Sequence, residues 1–144
     1  MTLHHVGIAV DPAPFGDARA ALEAAAKPYV ALGYGLEAQG LVETQGVYVY
    51  LLKPPSTNGI ETRIELIAPA NTTCALAKSL QKRGPGLHHL AFGVPDIREA
   101  MATLTRQGAK LVDLSPRPGF GGHLVAFVHP SFAGGVLLEL VEEV

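Results

Sequence analysis

The chain repeats itself, and no other feature constrains its fold as strongly. Leu3-His4-His5-Val6-Gly7-Ile8-Ala9-Val10 recurs as Leu87-His88-His89-Leu90-Ala91-Phe92-Gly93-Val94. A second echo closes each copy, with Ile64-Glu65-Leu66-Ile67 matching Leu138-Glu139-Leu140-Val141. The first pair is offset by 84 positions and the second by 74, so the copies share a pattern and differ in loop length. In a chain of 144 residues, each copy is too short to enclose a site alone. The reading is one domain over residues 1–144, with a first module over about 1–70, a connecting helix over about 72–84 and a second module over about 86–144.

Each module reads as strand, helix, then three strands. In the second, Asp96 with Glu99 three residues on forms a capping box, and Ile97, Ala100, Met101 and Leu104 keep helical spacing up to Gly108. In the first, the alanine-rich run from Asp17 to Lys27 predicts a helix that Pro28 ends or kinks. Predicted strands cover His4–Val10, Leu36–Val42, Val47–Leu52 and Glu61–Ala68, with a long hairpin loop over 54–61. In the second module they cover His88–Val94, Lys110–Leu114, Leu124–His129 and Val136–Val141, and Pro116–Gly122 reads as a loop. The fold class is therefore α+β: two βαβββ modules whose eight strands form a curved mixed sheet.

Strand alternation places His5 with Gly7 and Ala9, and His89 with Ala91 and Gly93. The other faces are bulky and suit packing against helices, so His4 and His88 read as packing or capping residues there. Glu139 lies inside Val136-Leu137-Leu138-Glu139-Leu140-Val141, where an ionised carboxylate is costly unless paired or bound to a metal. Glu65 is its counterpart, although Arg63 beside it offers an ordinary ion-pair partner. Each residue alone is better explained as structural. Their recurrence at matching module positions favours a first shell of His5, Glu65, His89 and Glu139. Two imidazoles and two carboxylates suit a divalent Co, Zn, Mn, Ni or Fe ion with positions left open for substrate.

Composition narrows the partners. Hydrophobic residues make up 48% and charged residues 17%, which excludes a disordered chain. A net charge of −2 without a basic block argues against nucleic acid as the main partner. No apolar run reaches membrane-span length, so no membrane partner is expected, and Met1–His5 lacks the blocks of a signal peptide. The single cysteine, Cys74, allows no intramolecular disulfide and fits a reducing compartment. A cytoplasmic location is the expectation.

At these residues the chain resembles the vicinal oxygen chelate (glyoxalase/bleomycin resistance/dioxygenase) superfamily, and within it the methylmalonyl-CoA epimerase family. The resemblance runs through Arg83-Gly84-Pro85-Gly86-Leu87-His88-His89-Leu90-Ala91-Phe92, Pro116-Arg117-Pro118-Gly119-Phe120-Gly121-Gly122, Val125-Ala126-Phe127-Val128-His129-Pro130 and Gly134-Gly135-Val136-Leu137-Leu138-Glu139-Leu140. His5–Val10 and Gln45-Gly46-Val47 carry it in the first half. It implies the same four metal ligands, a homodimer and an acyl-CoA thioester as substrate.

The implied reaction is a 1,1-proton transfer through a metal-stabilised enediolate. Glu139 is the candidate base, with desolvation expected to raise its basicity. Where some members carry a second catalytic glutamate, this chain has Val49, so Glu43 is nominated as the second acid/base and Gln45 as a substrate-positioning residue. Competing readings are a glyoxalase I-like lyase using the same shell, and a metal-free small-molecule-binding protein of the bleomycin-resistance kind. An extradiol-type dioxygenase would want iron and three protein ligands, and Glu65 as a fourth counts against it.

Overall fold

A computed structural model describes residues 1–55, 59 and 61–144. Of the expected 54–61 hairpin loop, residues 56–58 and 60 therefore lie outside the described residues. The described residues form an eight-stranded mixed sheet with three α-helices, as the α+β reading expects. They divide into two compact units, Gly7–Leu87 and Met1–Val6 with His88–Val144. This division differs from the sequence modules. The first strand, β1 (Thr2–Ala9), is shared, and its opening residues belong with the second half of the chain.

Within Gly7–Leu87, β2 (Gly35–Val42), β3 (Val47–Lys53) and β4 (Arg63–Pro69) pair antiparallel in that order. The end of β1 follows β4, and Val10 N–H donates to the Ile67 carbonyl at 2.8 Å. Helix α1 (Ala18–Ala31) starts where the Asp17 carboxylate accepts the Ala20 N–H. Its Ala21, Leu22 and Ala26 pack on Tyr50, Leu52, Leu66 and Ala68. Of the two outcomes expected at Pro28, ending the helix does not occur. The proline removes one backbone donor in the last turns, but Leu32 N–H still reaches the Pro28 carbonyl at 3.2 Å, and Tyr29 packs against the core. Helix α2 (Ala75–Arg83) is capped by the Cys74 thiol, which accepts the Ala77 N–H at 3.4 Å.

The β2–β3 hairpin turns through Glu43–Gly46, and Gly46 holds φ +67° with its carbonyl accepting from Ala70. A Cβ there would lie 2.9 Å from Asn71 Nδ2 and 3.1 Å from the Cys74 Cβ. Gly46→Ala is thus expected to destabilise by at least about 1–2 kcal/mol from the left-handed conformation alone. A thermal unfolding midpoint equal to that of the unaltered chain would contradict this.

In the other unit the order is β1, β5 (Gly86–Gly93), β8 (Leu137–Glu142), β7 (Leu124–Val128) and β6 (Arg117–Pro118). β5 and β8 run parallel, and β8–β7 and β7–β6 antiparallel. Helix α3 (Ile97–Arg106) opens on the expected cap, with Asp96 accepting the Glu99 N–H at 3.0 Å. Its Ile97, Ala100 and Met101 pack on Ala126, Val128 and Leu140. Period two then assigns Val125, Phe127, Glu139 and Val141 to the opposite face, where Ala91, Val125 and Val141 form a second small cluster.

The strand expected at Lys110–Leu114 is absent. That segment makes a single bridge, Leu111 to Val128, because the Asp113 carboxylate accepts the Phe127 N–H at 2.7 Å in place of a ladder carbonyl. The last strand is instead Arg117–Pro118, inside the expected loop. Pro118 lacks a donor and suits only an edge, which keeps this strand to two residues.

Candidate metal centre

His5 on β1, His89 on β5 and Glu139 on β8 converge within one unit. The register explains how. Ala91 and Phe127 flank Glu139 on its two neighbouring strands, and His89 precedes Ala91 by two residues on the same face. The two Nε2 atoms are 3.1 Å apart, and the Oε1 of Glu139 lies 3.1 Å from that of His5 and 3.3 Å from that of His89. All three side chains are nearly fully buried, with exposures of 3%, 5% and 5%.

Neither approach to Oε1 has hydrogen-bond geometry, so this buried oxygen has no hydrogen-bond donor among the described residues. An orphaned buried carboxylate oxygen is unfavourable in a protein interior. Here it forms a tight triangle with two imidazole nitrogens, a donor set that suits a divalent ion of the zinc or cobalt kind. The residues present therefore fit the group that the sequence suggests. Desolvation pushes the Glu139 carboxyl up, but the imidazoles of His5 and His89 outweigh it and bring it down to about 2. This corrects the expected gain in basicity. The Glu139 carboxylate is therefore ionised at neutral pH and is a weak base.

The outer histidines also depart from expectation. His4 and His88 do not simply pack beside the helices. His4 Nδ1 lies 2.8 Å from His5 Nδ1, and His88 Nδ1 lies 2.9 Å from His89 Nδ1. His4 Nε2 reaches Glu143 Oε1 at 2.7 Å. The doubled histidine in both repeats was the available signal, but strand alternation sends neighbours to opposite faces and concealed the pairing. On the other side, the Phe127 ring meets His89 edge-on at 5.9 Å, and the Arg117 guanidinium lies over Phe127 with Asp113 3.2 Å from its Nε.

The remaining candidates lie in the unit Gly7–Leu87. Glu65 is partly buried on β4, opposite Leu51 on β3. The neighbouring Arg63 donates from Nε to both carboxylate oxygens of Glu37, at 2.8 and 3.0 Å. Glu43 is exposed and Gln45 partly buried in the β2–β3 turn.

Comparison with known proteins decides the family. The model of the glyoxalase/bleomycin resistance protein/dioxygenase superfamily matches residues 4–127. The chain belongs to this superfamily. Superfamily relatives extend over nearly its whole length. It is 34% identical over 141 residues to the ethylmalonyl-CoA/methylmalonyl-CoA epimerase of Cereibacter sphaeroides, covering 96% of this chain and 95% of that one. Methylmalonyl-CoA epimerase from Mycobacterium tuberculosis superposes with a TM-score of 0.84 at 38% identity, over 99% of this chain and 88% of that one. A substituted form of the Streptomyces coelicolor methylmalonyl-CoA epimerase, in complex with 2-nitronate-propionyl-CoA, does so with a TM-score of 0.84 at 32% identity, over 99% and 97%. No helix among the described residues is long and apolar enough to cross a membrane.

Proposed function

We propose that this chain is a divalent-metal-dependent epimerase of a 2-substituted malonyl-CoA thioester, with methylmalonyl-CoA as the leading substrate. The observation that carries the proposal is the buried triangle of His5, His89 and Glu139. The superfamily relatives supply the reaction class, and the acyl-CoA analogue bound to one of them supports a thioester substrate.

His5 Nε2, His89 Nε2 and Glu139 Oε1 would hold the ion, with Glu65, the repeat counterpart of Glu139, as the fourth ligand. A divalent cation supplies Lewis-acid stabilisation of the charge that develops on the thioester oxygen as the α-proton leaves. The chain must then provide a proton acceptor on one side and a donor on the other. Glu139 and Glu43 are proposed for these roles, and Gln45 for positioning substrate. The depressed carboxyl of Glu139 weights it toward ligation, so Glu43→Gln separates the roles. It should slow proton transfer and leave cation affinity unchanged. The homodimer implied by the family resemblance, and the cytoplasmic location expected from the sequence, belong to the same proposal.

The test is α-proton exchange of methylmalonyl-CoA in heavy water, followed by proton NMR with the cobalt-loaded chain. Exchange should appear with the ion and disappear on chelation. No ion-dependent exchange, or turnover of a methylglyoxal hemithioacetal instead, would overturn the epimerase reading.

A further inference from the structure

The chain Glu143–His4–His5 permits only one arrangement of protons when Glu143 is ionised and both rings are neutral. A carboxylate only accepts, so His4 Nε2 carries the hydrogen that spans the 2.7 Å to Glu143 Oε1. A neutral His4 then has a bare Nδ1, which must accept across the 2.8 Å to His5 Nδ1. His5 is left with its hydrogen on Nδ1 and a lone pair on Nε2, 3.1 Å from both the His89 Nε2 and the Glu139 Oε1. That lone pair points into the triangle of His5, His89 and Glu139, where a divalent ion would accept it. The second repeat contains the same local contact, with 2.9 Å between the Nδ1 atoms of His88 and His89.

We infer that His4, anchored by Glu143, is a positioning residue that sets the tautomer of His5 and holds its Nε2 lone pair toward the cation. The inference rests on the metal-dependent reading above. Ligating histidines commonly donate their other N–H to an acceptor that orients the ring and raises its donor strength. Here the acceptor is itself a histidine, and a half-exposed carboxylate orders it from outside the buried triangle.

The experiment titrates the metal-free chain with cobalt(II) chloride, reading the dissociation constant by calorimetry and the ligand field by visible absorption. The unaltered chain should bind one ion per chain. His4→Leu removes the acceptor and should weaken binding about 10–100-fold, with an altered visible spectrum. His4→Gln keeps an acceptor oxygen for His5 and a donor for Glu143, and should recover most of the affinity. Glu143→Ala, which leaves the buried core untouched, should weaken binding less than His4→Leu and supplies the test if His4→Leu fails to fold. Unchanged affinity and spectrum in folded His4→Leu, or in Glu143→Ala if His4→Leu does not fold, overturn this inference alone. Equal losses in folded His4→Leu and His4→Gln do the same, because size and not the acceptor would then matter. No cobalt uptake by the unaltered chain overturns the metal-dependent reading and this inference with it.

Discussion

Glu139→Gln is expected to abolish both cobalt binding at micromolar ion and α-proton exchange of methylmalonyl-CoA. The substitution preserves shape and removes the charge. In the unaltered chain the carboxyl is held at about 2, against the cost of its burial, by His5 and His89. It is therefore ionised at neutral pH, and it is the one anionic group in the candidate cluster His5, His89 and Glu139. Loss of an inner ligand should exceed the roughly 10–100-fold effect of losing an outer partner. His5→Ala should behave alike, because either change removes one of the four proposed protein ligands and breaks the buried triangle. Calorimetry with cobalt(II) and NMR exchange read the two effects separately. Persistent ion-dependent exchange in Glu139→Gln would remove Glu139 from both proposed roles.

Ile97→Ala should produce the largest loss of stability in its unit. Ile97 is fully buried beneath α3 against Val128 and Leu140, and its backbone N–H is satisfied by the Glu142 carboxylate at 2.9 Å. Truncation removes apolar contact and leaves a cavity, which costs about 2–5 kcal/mol. For a chain of this size that corresponds to a fall in the unfolding midpoint of roughly 5–20 °C. Leu22→Ala, equally buried under α1, should give a similar loss in the other unit. A midpoint lowered by less than about 2 °C in Ile97→Ala would show that the region under α3 collapses to fill the space.

Much of this organisation was legible from local pattern. The Asp96–Glu99 cap, the spacing of Ile97, Ala100 and Met101, and the recurrence of His and Glu all point to elements found in the fold. Three of the four candidate ligands meet in one unit, and Glu65 keeps its assignment on the repeat alone. The missed features depend on partners distant in the chain. Lys110–Leu114 has strand character, yet the Asp113 side chain takes the Phe127 N–H and passes the edge position to Arg117–Pro118. Pro28 ends or kinks a helix by local rules, yet the helix continues to Ala31 with Tyr29 packed against the core.

By itself, the sequence determined the three α-helices and seven of the eight strands of the described residues, because helical and strand periodicity are properties of neighbouring residues. It also determined which residue types a metal shell could draw on. Only the tertiary structure decided that the opening of β1 joins the second half of the chain. It alone decided that the two buried imidazoles and the carboxylate meet with no hydrogen-bond donor for Oε1 among the described residues, and that His4 lies between His5 and Glu143. Those contacts span as many as 139 residues, and their directions depend on strand pairing and side-chain rotation, which no local period encodes.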